Sequence, residues 1–250
     1  MRLGSDPETF LVDNTGNPIS AIGYINADKW NPMQIPDMPA GFTLQEDNVS
    51  LEYGIPPAAS ADEFVSHIQA VMQKSLDYLP GLSFSKLSCI IFPREQMNTP
   101  GAHVFGCEPD FNAWTKEANM KPNPPHPFMR SAGGHIHIET AKDAYTVGQA
   151  CDLFLGVPSI LMDATGGPRR ELYGKHGAIR PKPYGVEYRT LSNFWIFDEK
   201  YIRWAWRNAQ RAVDNEMDLS VVYEKIVQAI DFNDKVVADQ LVDQFNLEVV

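Results

Sequence analysis

Short apolar stretches alternate with turn-forming clusters through the first two-thirds of the chain. The cluster DNTGNP at residues 13–18 separates two such stretches, an arrangement typical of strands joined by tight turns. The proline pair at 56–57 is expected to end a strand in the same way. The pattern predicts strands at residues 8–12, 19–24, 49–55, 82–92, 132–139 and 185–191.

Helical periodicity replaces this alternation in three regions. Residues 60–63, SADE, form a capping box, and apolar residues then recur at helical spacing as far as Leu79. Residues 147–162 predict a largely buried helix that bends at Pro158. The chain from Asp198 onward predicts two or three further helices.

The order of these elements favours one fold class. Strands come early and helices late, without the regular alternation of a doubly wound parallel fold. We therefore predict an α+β protein with a mostly antiparallel sheet. We expect a single domain over residues 1–250, with a sheet-forming core at 1–197 and a helical segment of the same domain at 198–250.

Composition and charge narrow the classes of partner. The chain is 44% hydrophobic with a net charge of −11, which is unsuited to nucleic acid as a main partner. It has no apolar run long enough to span a bilayer and no signal-peptide pattern near its start. Cys89, Cys107 and Cys151 are widely spaced and are expected to be reduced thiols in a cytoplasmic protein.

One segment departs from the acidic character of the chain. Between positions 169 and 189, six of 21 residues are Lys or Arg, where the overall content of 21 in 250 would place about two. A basic segment in an acidic protein indicates a bound anion, although a solvated loop is the simpler alternative. The six residues are Arg169, Arg170, Lys175, Arg180, Lys182 and Arg189.

Three polar pairs recur at a spacing of two inside predicted strands. Side chains two apart on a strand point to the same face. A face that carries all of these groups calls for cations and an anionic ligand, because burying unpaired charges is costly. The pairs are Asp6 with Glu8, His135 with His137, and Glu187 with Arg189.

Each pair also has a simpler structural explanation. The two acids could begin a solvated strand, and Glu187 with Arg189 could form an exposed ion pair. The histidines carry more weight, because Gly133-Gly134 before them permits close backbone approach. Glu52, between apolar neighbours, is a further candidate carboxylate.

The residue types favour magnesium and a nucleotide. Carboxylates with one or two imidazoles suit Mg²⁺ or Mn²⁺ better than a structural zinc ion, and Mg²⁺ commonly bridges carboxylates to phosphates. The basic segment would supply the positive charge that phosphoryl transfer requires. Because the sequence lacks a G-x-x-x-x-G-K-[ST] motif, such a site would not be a P-loop.

At these residues the chain resembles the phage-encoded COOH–NH2 ligases (amidoligase type 2) of the glutamine synthetase and glutamate–cysteine ligase superfamily. The similar segments follow one another in a consistent order between residues 4 and 195. They are GSDPE at 4–8, GCEPD at 106–110, AGGHIH at 132–137, YGKHGAIR at 173–180 and YGVEYRTLSNFW at 184–195.

The resemblance implies a curved, glutamine synthetase-like sheet whose concave face holds ATP and two or three divalent ions, with helices on the outer face. It implies a set of metal ligands, with either histidine as the imidazole donor: Asp6, Glu8, Glu52, His135, His137 and Glu187. It implies phosphate-contacting or catalytic roles for Arg189, Arg180 and Lys175. The basic segment adds Arg170 and Arg169 as candidates for binding the nucleotide.

The resemblance is incomplete in two respects. The first pair begins with aspartate where glutamate–cysteine ligases commonly have glutamate, and the chain is much shorter than glutamine synthetase. The adenine contacts and the substrate pocket therefore cannot be carried over. Glu108 and Asp110 could face a substrate amine, or they could belong to a turn.

The expected function is an ATP- and Mg-dependent ligase that joins a carboxylate to an amine through an acyl phosphate. Its substrates would be small molecules or peptides, in the host cytoplasm if the gene is phage-borne; the oligomeric state is open. A cupin-like metalloenzyme is one alternative, but Ala141 stands where a cupin needs glutamate. A catalytically inactive nucleotide- or metal-binding protein is another.

Overall fold

The computed structural model describes residues 1–104, 110–120 and 123–250. Within these ranges thirteen strands form, and every pairing among them is antiparallel. The strands are β1 (Leu3–Ser5), β2 (Glu8–Val12), β3 (Pro18–Ile19), β4 (Met33–Gln34), β5 (Thr43–Asp47), β6 (Ser50–Ala58), β7 (Ser83–Ser85), β8 (Cys89–Ile91), β9 (Phe111–Asn112), β10 (Met129–Ser131), β11 (Ile136–Glu139), β12 (Ala178–Lys182) and β13 (Gly185–Tyr188).

Eleven of the strands in the described residues form one sheet. Its central path runs β3-β2-β6-β1-β11-β13-β12-β9, with β4, β5 and β7 joined at one side. The remaining two, β8 and β10, pair with each other. The predicted mixture of helices with a mostly antiparallel sheet is confirmed.

In the described chain, one helix follows β6, two lie between β11 and β12, and three follow β13. They are α1 (Ala61–Ser75), α2 (Ala144–Cys151), a π-helical turn (Asp152–Gly156), α3 (Val157–Met162), α4 (Glu199–Asp214), α5 (Tyr223–Asp231) and α6 (Lys235–Phe245). Helix α1 packs on β6, and α2 packs on β12 and β13. None of these helices is long and apolar enough to cross a bilayer.

The predicted helix starts have physical causes that the structure bears out. Ser60 caps α1, with its hydroxyl accepting the N–H of Glu63 at 3.2 Å. The predicted helix at 147–162 exists but is divided by the π-helical turn just before Pro158. The two or three helices expected after Asp198 are α4, α5 and α6.

Several predicted strand limits were wrong. Strand β6 continues through Pro56 and Pro57 because the pairing with β1 shifts there, so no N–H is needed at either proline. The strand predicted at 19–24 stops at Ile19 and turns. The one predicted at 82–92 is two strands, β7 and β8, with different partners.

The basic segment is not a solvated loop throughout. Residues 178–182 within it form β12, which makes a hairpin with β13 around Pro183 and Tyr184. The sequence of residues 178–182 does not alternate apolar and polar positions, so it did not predict a strand. Strand β12 is nevertheless stable because Ile179 is fully buried against the helices behind the sheet.

Alternate residues of the central strands divide the sheet into two faces. Ile136, Ile138, Val186, Tyr188 and Ile179 are fully buried against the helical layer. The residues between them are polar and lie on the opposite face. That polar face carries the candidate site.

Candidate functional site

Residues paired across four neighbouring strands form a row on the polar face. Gly4 of β1 pairs with His137 of β11, His137 pairs with Glu187 of β13, and Glu187 pairs with Arg180 of β12. Paired residues on adjacent antiparallel strands project to the same face. The strand order therefore brings together polar residues from distant parts of the sequence.

Asp6, His135 and Glu187 form the first of two candidate metal groups in the described residues, and we name it the compensated group. Asp6 Oδ1 lies 3.4 Å from His135 Nδ1 and 2.9 Å from His137 Nε2. His135 Nδ1 lies 3.8 Å from Glu187 Oε1. Both histidines thus reach one carboxylate, as their spacing of two predicted.

Cations surround the Glu187 carboxylate, which is fully buried. Arg180 Nη1 lies 3.0 Å from both of its oxygens, and Lys182 Nζ lies 3.2 Å from Oε2. Arg189 Nη1 also donates to Oε1. These contacts join three members of the basic segment to the carboxylate that the sequence proposed as a metal ligand.

The pKa values of the compensated group reflect this pairing. Burial alone would raise the pKa of Asp6, but attraction to His137 and hydrogen bonds from both histidines hold it well below its usual value. Burial and Asp6 would likewise raise the pKa of Glu187, yet Arg189 and the histidines lower it. Burial and Arg189 lower the pKa of His135 to about 4, so that imidazole is neutral.

The two glycines before the histidines permit close packing of the backbone. A Cβ on Gly134 would lie 2.4 Å from the Ser192 carbonyl oxygen and 2.5 Å from Trp195 Nε1. A Cβ on Gly133 would lie 2.3 Å from Nε2 of His135. The predicted close approach is therefore made to the protein itself, and it fixes the position of the His135 ring.

Residues 132–135 are not in a strand, although a strand was predicted to begin at 132. The Gly133 N–H donates to Glu8 Oε2 at 2.7 Å, and its carbonyl accepts the Glu8 N–H at 2.8 Å. The Gly134 N–H donates to the Leu191 carbonyl. The turn consequently connects the histidines to the start of β2.

Glu8, Asp47 and Glu52 form the second candidate metal group, which we name the acidic group. One oxygen from each lies within 4.8 Å of the others. Glu8 of β2 is directly opposite Glu52 of β6, and Gln45 of β5 is opposite Glu52 on its other side. Asp47 ends β5, at the hairpin that leads into β6.

The pKa values of the acidic group move the other way. Burial and the charge of Asp47 raise the pKa of Glu8 to about 8. Burial, together with Asp6, Asp47 and Glu8, raises the pKa of Glu52 well above its usual value, and burial raises that of Asp47. Like charges directly opposite on neighbouring strands are destabilising. An oxygen-only donor set of three carboxylates fits a hard divalent cation such as Mg²⁺.

Asp47 was not among the predicted ligands. The sequence offered a weak signal, since it lies in the acidic run QED immediately before the strand that holds Glu52. Its role depends on β5 pairing with β6 through a tight hairpin, with Asp47 opposite Ser50. The chain between 43 and 47 lacked the apolar alternation that would have predicted β5.

A cavity adjoins both groups, with about 540 Å³ of empty space when the open solvent at its mouth is included. Glu8, Asp47 and His135 lie on its wall, and so do Arg169 and Arg189. Arg169 is buried and donates to the carbonyls of Thr190 at 2.9 Å and Arg189 at 3.2 Å. Carboxylates and guanidinium groups therefore share one cavity, as the sequence led us to expect.

The other predicted site residues lie outside this cavity wall. Arg170 is buried and donates to Ser159 Oγ at 3.3 Å, and Lys175 is exposed. Asp110 Oδ2 lies 3.5 Å from Arg189 Nε. Glu108, with the rest of 105–109, lies outside the described residues.

A buried polar network behind the sheet was not predicted. Asp152, on the π-helical turn, accepts hydrogen bonds from Trp114 Nε1 at 2.7 Å, the Gly177 N–H at 2.6 Å and the Tyr188 hydroxyl at 2.9 Å. Burial raises its pKa to about 6 despite these bonds. His176, next to Gly177, lies 3.0 Å from an oxygen of Asp231. The network fixes the chain that leads into β12.

A comparison with known families bears directly on this site. Residues 124–231 match the family described as phage phiEco32-like COOH.NH2 ligase-type 2. The predicted family resemblance is confirmed. The matched segment contains both histidines, the basic segment and Glu187, whereas the acidic group lies before it in the chain. The family's description supports an enzyme of the ligase class. No curated protein matches the chain.

Proposed function

We propose that the protein is an ATP- and Mg²⁺-dependent ligase that joins a carboxylate to an amine. The observation that carries the proposal is the shared cavity. Glu8 and Asp47 of the acidic group line it together with Arg169 and Arg189, so that it offers ligands for a divalent cation and donors for phosphate. The match to the COOH.NH2 ligase family supports the same reaction class.

Glu8, Asp47 and Glu52 would hold the divalent ion. Bound Mg²⁺, or Mn²⁺ in its place, would neutralise phosphate charge that otherwise repels an incoming carboxylate. Asp6, His135 and Glu187 remain predicted ligands of a second ion. His135 suits this role because its imidazole is neutral at physiological pH.

The cations have separate roles in the proposal. Arg169 and Arg189 line the cavity and would bind the triphosphate. Arg180 and Lys182 hold Glu187, which in turn orients the Arg189 guanidinium. Arg170 and Lys175 are outside the cavity wall, and Arg170 supports the fold through Ser159.

The proposed reaction has two steps. An oxygen of the substrate carboxylate attacks the γ-phosphorus of ATP, the bond to the β-phosphate oxygen breaks, and ADP and an acyl phosphate result. The amine nitrogen then attacks the acyl carbon, the carbon–oxygen bond to phosphate breaks, and an amide forms. One proton leaves the amine for a nearby base. Arg189 would stabilise the charge that develops on the transferred phosphoryl group.

The antiparallel sheet with helices on one face agrees with a glutamine synthetase-like catalytic fold, which we propose for this chain. A reaction that consumes ATP would take place in the cytoplasm, that of the host if the gene is phage-borne. The substrates would be small molecules or peptides that bear the carboxylate and the amine.

Metal-dependent formation of ADP tests the proposal. The protein would be incubated with ATP, Mg²⁺ and pooled amino acids and peptides, with EDTA as the control. We expect ADP and amide product only when Mg²⁺ and both substrates are present. Tight binding of Mg·ATP without turnover on any acceptor would instead identify an inactive nucleotide-binding protein.

A further inference from the structure

A second cavity lies on the other side of the Asp6–His137 contact. It has about 760 Å³ of empty space, including its open mouth. Asp6 and His137 line this cavity, whereas His135 lines the first. Asp6, which contacts both histidines, thus stands with them as a partition between the two cavities.

Two glycines of the sheet, Gly4 of β1 and Gly54 of β6, form part of the lining of the second cavity. Gly54 is required by packing, because a Cβ there would collide with the Thr43 side chain. A Cβ on Gly4 would meet only His137 Cβ at 3.6 Å and the Ile55 carbonyl at 3.8 Å, which are ordinary contacts. No packing requirement explains glycine at position 4. Its effect is to leave open space beside His137.

The walls of the second cavity are mostly apolar, and its inner end is acidic. Ile55, Pro57 and Tyr184 contribute the apolar surface. The Tyr184 hydroxyl also hydrogen-bonds His137 Nδ1, so the ring that contacts Asp6 is held from both sides. The carboxylate of Asp6 would therefore face a ligand that enters along an apolar surface.

Charges at the mouth agree with this polarity. Glu139 lies there, 3.6 Å from Arg2, and Asp6 Oδ1 lies 2.9 Å from His137 Nε2, so the acids and bases of the lining are paired. Both histidines contact Oδ1 of Asp6, so a ligand would meet its Oδ2. An apolar cavity that ends at a carboxylate oxygen favours an N–H donor joined to an apolar group and disfavours an anion.

We propose that the second cavity binds the amine substrate, as a primary amine next to an apolar side chain, such as an amino-acid amide or a peptide N-terminus. The inference rests on the proposed ligase function and assigns its two substrates to opposite sides of the partition. The amine would lie against Asp6, with His137 and Tyr184 positioning that carboxylate. His137 would thus serve the amine side, and His135 the nucleotide side.

Methyl NMR separates this inference from the nucleotide proposal. Ile55 reports on the second cavity and Val49 on the first. The probes are L-leucinamide, which has an amine without a carboxylate, N-acetyl-L-leucine, which has the reverse, and Mg²⁺ with a non-hydrolysable ATP analogue. We expect L-leucinamide to shift the Ile55 methyl signals and the nucleotide to shift those of Val49.

Each outcome decides one proposal. If L-leucinamide shifts Val49 instead of Ile55, or shifts neither up to its solubility limit, the amine assignment is overturned. A stronger Ile55 response to N-acetyl-L-leucine would also overturn it, because the cavity would then prefer the carboxylate substrate. Failure of the nucleotide to shift Val49 would count against the nucleotide proposal alone.

Matched glycine variants provide the control. Gly4→Ala places a methyl in the second cavity, and Gly101→Ala places one beside Ile22, where the nearest atom would be 3.7 Å away. We expect Gly4→Ala to weaken L-leucinamide binding at least fivefold while the Val49 response to nucleotide stays unchanged, and Gly101→Ala to alter neither. Tyr184→Ala, on the exposed hairpin, should weaken the same binding. Equal affinity in all four proteins would contradict the proposal.

Discussion

The compensated group and the acidic group are both sets of three buried or half-buried potential metal ligands on one sheet, yet their charges are balanced differently. Glu187 contacts Arg180, Lys182 and Arg189, and its pKa is lowered. Glu8 faces Glu52, and the pKa values of both are raised. The protein supplies counter-charge for the first group from its own basic segment.

The difference indicates what each group is for. A buried carboxylate is stable when cations of the chain surround it, and it then holds those cations in place. Carboxylates whose pKa values stay raised by burial and mutual repulsion are costly in the free protein when ionised, and they become favourable once a divalent ion binds. We therefore expect substitutions in the two groups to have opposite effects on the metal-free protein.

The largest effect is expected from Glu187→Gln. It removes the charge that Arg180, Lys182 and Arg189 share, so these cations are left facing one another. We expect a loss of about 3–5 kcal/mol in the free energy of unfolding, together with loss of ADP formation. Urea denaturation would measure the first. Glu199→Gln, in an exposed pair with Arg203, is the control and should change stability by less than about 1 kcal/mol.

A stable but inactive Glu187→Gln protein would contradict the structural part of this comparison. It would show that the folded protein does not need the Glu187 charge to neutralise Arg180, Lys182 and Arg189. A fully active variant would contradict the catalytic part, since Glu187 orients Arg189 in the proposal.

The turn that joins the two groups should be the next most sensitive point. Gly134→Ala would force a methyl against the Ser192 carbonyl and Trp195 Nε1, at distances that require the backbone to move. We expect a loss of about 1–3 kcal/mol in stability. Thermal unfolding beside Gly101→Ala would test this. Equal melting temperatures would show that the turn accommodates a methyl group at position 134 without loss of stability, contrary to the distances in the structure.

Glu52→Gln should act in the opposite direction to Glu187→Gln. It removes one of three carboxylates that repel one another, so the metal-free protein should be as stable as the native one or more stable. Mg²⁺ binding should weaken at least about tenfold, because a ligand is lost. Calorimetric titration with Mg²⁺ would measure the affinity. A less stable apo variant with unchanged Mg²⁺ affinity would make the acidic group a structural feature.

A dependence of stability on pH is a further expected effect. Glu8 has a folded pKa of about 8 against 4.5 for an unperturbed glutamate. Between these values the folded state retains a proton that the unfolded state has lost. The free energy of unfolding of the metal-free protein should therefore fall as the pH rises through this range, by at most about 1.4 kcal/mol per pH unit. The contribution of Glu8 is fully present below pH 4.5.

Asp6 gives the opposite dependence, since its pKa is lowered from 3.8 and its stabilisation is lost only in acid. Urea midpoints in EDTA should thus fall between pH 5 and 8, and they should fall less steeply in Glu8→Gln. Saturating Mg²⁺ should flatten them as well. An identical slope in the native protein and in Glu8→Gln would assign it to another group.

The sequence was most informative where a local pattern determines the outcome. The spacing of His135 and His137 placed both rings at one carboxylate, and the capping box at Ser60 marked the start of α1. It was least informative where partners are distant in the chain. Asp47 reaches the acidic group only through the β5–β6 hairpin, and Asp152 supports the basic segment only across the helical layer.

The sequence treated the basic segment as one anion-binding unit, but in the structure its side chains have different partners. Strand alternation within β12 directs Arg180 and Lys182 to Glu187, while Arg169 lines the cavity and donates to the carbonyls of Thr190 and Arg189. Arg170, the next residue, is directed to Ser159. Local charge density in a sequence cannot distinguish these directions, because they follow from tertiary packing.

The most direct test of the central claim is a crystal structure with Mn²⁺ and a non-hydrolysable ATP analogue, recorded with anomalous data. Mn²⁺ scatters anomalously and takes the same oxygen ligands as Mg²⁺. We predict an anomalous peak within bonding distance of Glu8, Asp47 and Glu52, with the phosphates between it and Arg169 and Arg189. A triphosphate bound elsewhere, with no metal at the acidic group, would contradict the account.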